Sequence, residues 1–148
     1  GSMTVGAYFT IPRAKLYIAD VNGAASQPLI DAVRAAVLVV RAFGVRIDIY
    51  AATPLPVDWT ASIVLNPGGP NFATLSVDAA PIVETMEQYI RDLPIGTGFA
   101  RGLAKLAIMG IWGPSGTNDL TDFNTSVPVG NISATATQKL LPDDVVII

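Results

Sequence analysis

The chain contains neither cysteine nor histidine. Without cysteine it forms no disulfide framework and no thiolate metal site; without histidine it lacks the commonest general base and metal ligand. Together these absences exclude Ser-His-Asp and Cys-His nucleophilic catalysis, zinc hydrolysis of the usual kinds, and haem ligation by His or Cys. Charge is scarce as well. Asp, Glu, Lys and Arg make up 14% of the residues, where soluble domains carry about a quarter. The nine Lys and Arg are scattered, the net charge is −3 and the pI is near 4.6, so the basic patch with interleaved aromatics that marks a nucleic-acid binder is missing. Long apolar runs are absent too. The longest, residues 35–40, falls far short of the roughly 18 residues of a membrane span.

What is present is an unusually apolar chain of ordinary size. Its 148 residues are 51% hydrophobic, with a mean hydropathy of +0.48. That length suits one domain able to bury roughly two-thirds of its unfolded surface. So little charge implies that some of the folded surface is covered by a partner. Gly1-Ser2 ahead of Met3 reads as an expression-tag remnant covering residues 1–3, with Met3 as the native start. The residues that follow lack the basic n-region and long apolar core of a signal peptide, which implies a cytoplasmic origin.

Residues 15–19 (KLYIA) read as a strand and 20–23 (DVNG) as its closing turn. A helix follows, with Ser26 as N-cap, Pro28 in its first turn, Leu29, Ile30, Val33, Ala36, Val37 and Val40 at helical spacing, and Phe43-Gly44 as terminator. Val45, Ile47 and Ile49 alternate with polar residues as in a strand covered on one face. A second alternating strand begins at Val57, with Trp59, Ala61, Ile63 and Leu65 inward and Asp58, Thr60 and Ser62 outward. Pro54 and Pro56 lie in the link between them, which should be an extended edge or a bulged turn. Residues 66–71 (NPGGPN) read as a loop. A second helix is predicted from about Val77, capped by Ser76, with Ile82, Val83, Met86, Tyr89, Ile90 and Leu93 as its buried stripe. A third is predicted over about 99–111, burying Leu103, Leu106, Ala107 and Gly110. Residues 120–127 and 145–148 are strand candidates. The order implies a single α+β domain over residues 4–148, with helices on one face of a mixed, mostly antiparallel sheet. The nearest common architecture is a ferredoxin-like βαββα core with a third helix and C-terminal strands added.

Several constellations invite a chemical reading. Gly96-x-Gly98-x-x-x-Gly102 is one residue too long for the dinucleotide fingerprint and follows a helix, so it reads as a helix-to-helix turn. Asn118, Asp119, Asp122 and Asn124 could in principle gather oxygen ligands for Ca²⁺ or Mg²⁺, but they lack the EF-hand alternation and read as turn and capping residues. Asp143-Asp144 reads as a solvated turn before a strand. Glu87 and Arg91 have the spacing of an exposed i,i+4 ion pair, with Glu84 on the same helix. Trp59, Trp112, Tyr89, Phe99 and Phe123 read as packing residues, with Trp112 also a candidate anchor for a partner surface. No catalytic, cofactor-binding or metal-binding residue is assigned.

The segment VRIDIYAATPLPVDWTASIVL, residues 45–65, resembles the C-terminal domain of the baseplate J-like family of contractile phage tails and related injection machines. That family typically shows a strand, a proline-rich stretch with Pro-Val-Asp, and an alternating strand; Ala52 to Asp58 looks like that element. KLYIADVNG (15–23) is similar to the family's strand with an acidic, Gly-containing turn, and Tyr89-Ile90 with Leu93-Pro94-Ile95-Gly96 resembles its helix and Gly-rich loop. The resemblance covers residues 15 to 148 as an order of elements. It implies a non-catalytic baseplate wedge component of a virion or phage-like particle, assembled in the bacterial cytoplasm. Its partners would be other baseplate and tail proteins or further copies of itself, without nucleic acid, membrane, cofactor or small-molecule substrate. Two other functions compete: a small-molecule-binding regulatory domain of ferredoxin-like fold, and an enzyme using only carboxylates such as Asp119 and Asp122.

Overall fold

The computed structural model of the protein describes residues 13–20, 23–40 and 46–148. Residues 1–3, Val21-Asn22 of the predicted first turn, the predicted Phe43-Gly44 terminator and Val45 lie outside them. The chain is α+β and divides into two compact units, residues 1–52 and 53–148.

In the first unit, β1 (Arg13–Asp20) pairs with the two-residue β2 (Gly23–Ala24) and, in parallel, with β3 (Arg46–Ala51). The parallel crossover is α1 (Gln27–Val40), which packs on β3. Its predicted start is correct. Ser26 Oγ accepts from the Leu29 N–H at 3.4 Å and Ser26 O from the Ile30 N–H at 3.0 Å. Leu29, Ile30, Val33 and Val37 form the half-buried stripe, while Ala36 is exposed. Ile49 of β3 is buried. Tyr17 and Tyr50, cross-strand neighbours, stack at 5.5 Å between ring centroids.

The second unit is built around β4 (Thr53–Leu65), the middle strand of a sheet ordered β5-β4-β6. β5 (Leu120–Val127) runs antiparallel to β4, and β6 (Gln138–Ile147) parallel. Between β4 and β5 come the single turn α2 (Phe72–Leu75), α3 (Ala80–Asp92) and α4 (Arg101–Trp112). The β4 alternation is as expected: Val57, Trp59 and Ala61 are buried, while Asp58, Ser62 and Val64 are exposed on the back of the sheet. Over the inner face lie Leu75, then Ile82, Met86 and Ile90 of α3, then Ala104 and Ile108 of α4, which form one core with Phe99, Leu120, Phe123 and Leu140. Helices therefore cover one face of this sheet.

Five expectations need correction. The described strands make two three-stranded sheets, not the single sheet of a ferredoxin-like core. The change of partner falls between consecutive residues, since the Ala52 N–H donates to Ile18 O and the Thr53 N–H to Thr137 O. The proline stretch is no link but the start of β4. β5 joins β4 only from Thr60 onward, so Pro54 and Pro56 occupy the part of the strand with one neighbour, where a missing N–H costs no ladder bond. α3 begins at Ala80, and its first turn is met by Asp78, whose Oδ1 accepts from the Ala80 N–H at 3.0 Å; Ser76 instead ends α2. α4 buries the opposite face from the one predicted: Leu103 is 62% and Leu106 71% exposed, and Ala104 and Ile108 point inward. Finally, the last strand starts at Gln138, seven residues before its predicted start, because Lys139 and Leu140 are already paired with β4 and buried.

Candidate interaction surface

The phase of α4 is set at its two ends. At the first residue, the Arg101 guanidinium donates from Nη1 to Val129 O at 2.6 Å and from Nη2 to Thr125 O, and its backbone N–H reaches Asn131 Oδ1 at 3.0 Å. At the last residue, Trp112 Nε1 donates to Thr85 Oγ1 of α3 at 3.0 Å. Trp112 is thus half-buried against the core, its indole N–H committed to α3. With both ends held, Gly102, Leu103, Leu106 and Gly110 face outward. A side chain added at either glycine would meet open space, so nothing in the second unit covers this face.

Beside that face lies an open cavity of about 240 Å³, lined by Arg101, Gly102, Lys105, Phe123, Asn124 and Thr125. Lys105 Nζ sits 2.7 Å from Asp122 Oδ1 and 5.8 Å from the Phe123 ring centroid. The lysine, helped by the Phe123 N–H, holds the Asp122 carboxyl below its ordinary value. Arg101 has no carboxylate partner among the described residues, and its buried Nε finds no acceptor. The cavity therefore keeps an excess of one positive charge in an acidic chain.

The oxygen-rich group at 118–124 does not converge on one point. Asn118 adopts φ 61° and turns the chain. Asp119 is fully buried, and its two carboxylate oxygens accept from the Asn71 N–H and Nδ2, each at 2.9 Å. Burial pushes its carboxyl up, but the hydrogen bonds from Thr117 and Asn71 outweigh that and hold it below the ordinary value. The carboxylate thus clamps the NPGGPN loop to the end of α4. Asp122 points instead to Lys105, and Asn124 is exposed. Among the described residues no group of three or more metal-ligating side chains forms.

The remaining candidates are structural as well. Gly96, with φ 84°, and Gly98 lie between α3 and α4; a Cβ at Gly98 would sit 2.2 Å from Ile132 O, so the glycine admits the close pass of that chain rather than a phosphate. Glu87 and Arg91 form the expected pair at 3.5 Å. Trp59 is fully buried, meets Phe123 edge-on at 6.0 Å and donates from Nε1 to Thr125 Oγ1 at 3.2 Å; Tyr89 meets Phe99 the same way at 6.2 Å.

Sequence reasoning missed two features. Lys139, on β6, is buried and donates from Nζ to the carbonyls of Arg91 and Leu93, so it closes the C-terminus of α3 from 46 to 48 residues away. A cation there suits the carbonyl end of a helix, although burial lowers its pKa against the opposing pull of Asp92. Asp143-Asp144 is the second. The pair lies within β6, where the register passes from Val57↔Pro142 to Trp59↔Val145, so that Asp58 alone faces two acidic residues. This is a β-bulge in the edge strand of the sheet, where the Asp144 N–H donates to Asp58 Oδ1 at 3.2 Å and both aspartate side chains are exposed. Their signal in the sequence was a charged pair flanked by apolar residues on both sides.

No helix among the described residues is long and apolar enough to cross a membrane. Searched against protein-family models and against curated proteins, the chain matches none.

Proposed function

We propose that the chain is a structural assembly module of a contractile-tail baseplate, a baseplate J-like wedge component that joins its neighbours through protein contacts. The observation that carries the reading is the outward face of α4. Two large apolar side chains, Leu103 and Leu106, stand exposed between two glycines, with Lys105 the one charged residue of that stretch and turned to Asp122, a surface suited to being covered by another protein. A wider hollow of about 560 Å³, with Phe72 and Val77 in its wall, lies on the same unit. The chemistry-bearing side chains are spent on the fold: Asp119 on a loop, Lys139 on a helix end, Trp112 on a helix neighbour. In this reading residues 4–148 act as one domain of a virion tail or phage-like particle.

The test is to label the chain with a specific antibody on tail-like particles from the source cells and view them by electron microscopy. Label at the baseplate end is expected. Particles without label, with the protein free in the cytoplasm, overturn the reading and leave the ligand-binding alternative to be screened by thermal shift.

A further inference from the structure

Two surfaces of the second unit are complementary and sit on opposite margins of one sheet. On the β5 side, the cavity under α4 holds Arg101 and Lys105 against the single carboxylate of Asp122. On the β6 side, the bulge carries Asp143 and Asp144, both exposed and with no ion pair among the described residues. β4 stands between them, which separates the two margins by roughly 10 Å of sheet, and within one chain neither surface meets the other. Apolar side chains accompany both. Leu106, one turn after Gly102 on the same side of α4, is 71% exposed, and Val146, two residues past the bulge, is 37% exposed.

We propose that the acidic bulge of β6 docks on the Arg101–Lys105 cavity of a second copy of this chain. The aspartates supply the anion that the cavity lacks, and Val146 covers Leu106. Because donor and acceptor surfaces differ, the contact is head to tail, and repetition generates a ring or a filament rather than a closed two-fold dimer. The inference rests on the assembly reading and names one partner for it.

Sedimentation of the full chain from micromolar to millimolar concentration, at low and raised salt, tests this directly. Association that grows with concentration and weakens with salt is expected. The double variant Asp143→Asn/Asp144→Asn should weaken it by roughly tenfold or more, and Asp122→Asn, which leaves the cavity more positive, should strengthen it. A crossed mixture is the sharper arm. Asp143→Asn/Asp144→Asn lacks the bulge's charge and Lys105→Gln lacks the cavity's excess; each alone should associate only weakly, while together they should form a one-to-one pair and stop there. A wild-type chain that stays monomeric at millimolar concentration overturns the proposal. So does a Asp143→Asn/Asp144→Asn variant that associates more strongly, since the acidic pair would then be only a guard against edge pairing. Either result leaves the antibody label untouched, so a baseplate label with a monomeric chain would sink this contact while keeping the assembly reading.

Discussion

The two units bury their apolar side chains very differently. Among the described residues, the second unit gathers a continuous core from three strands, three helices and the loop aromatic Phe99, with Trp59, Met86, Ile90 and Leu120 entirely out of solvent. The first rests on Ile49, Ala25 and Ala52, and its helix α1 leaves Leu38 56% and Val39 84% exposed. The sequence of the first unit is the more apolar of the two, yet among the described residues it encloses less of what it has. In the second unit each helix meets a sheet face or another helix; among the described residues of the first, one helix serves one short sheet. What separates them is how many elements share the apolar surface, more than how apolar each element is.

Substitutions can break or sharpen that contrast. Trp59→Ala should lower stability by about 3 to 5 kcal/mol, because the indole is fully enclosed and edge-packed on Phe123. Ile49→Ala in the first unit should cost about 2 kcal/mol; equal shifts of the denaturant midpoint for the two would erase the contrast. Within α4, Ile108→Ala should cost about 2 to 4 kcal/mol, while Leu106→Ala stays within about 0.5 kcal/mol, and the reverse order would return the helix to its predicted phase. Asp119→Asn should cost about 1 to 3 kcal/mol through its contacts with Asn71. Its carboxyl titrates lower in the folded state than in the unfolded chain. The stability it contributes is therefore present above the ordinary carboxylate range and lost as pH falls through the lowered value, so the variant should flatten the acid limb of a pH-stability curve. Smallest of all, Glu87→Gln should cost a few tenths of a kcal/mol, and only at low salt.

Where the pattern had one consistent solution, it was legible in the sequence. β4 alternates from Val57 to Ile63, so its inward set there was correct, and α3 separates Ile82, Met86 and Ile90 cleanly from its polar side. α4 defeats the same reasoning. Its sequence RGLAKLAIMGIW places apolar residues all round the helix, so periodicity allows more than one phase, and the choice falls to Arg101 and Trp112 through partners 24 to 28 residues distant. β6 was shortened because Lys139 and Asp143-Asp144 look like surface or turn residues. One is a helix closure and the others a bulge, and both depend on neighbours that no local window contains. The candidate surface was legible only in outline: low charge predicts a face for a partner to cover, but where an exposed apolar face lies depends on the phase of α4.

The central position of β4 also bears on how the chain is made. Its two sheet neighbours, β5 and β6, are the last strands of the chain, so during synthesis β4 emerges with both edges bare and waits for more than fifty further residues before its first partner strand begins at Leu120. A long apolar strand in that state is an invitation to pair with another nascent chain. Pro54 and Pro56 in its first half and Asp58 in the middle interrupt the edge during that interval. Prolines and a charge in such a strand are the kind of residue that hinders an unpaired edge from templating its neighbours.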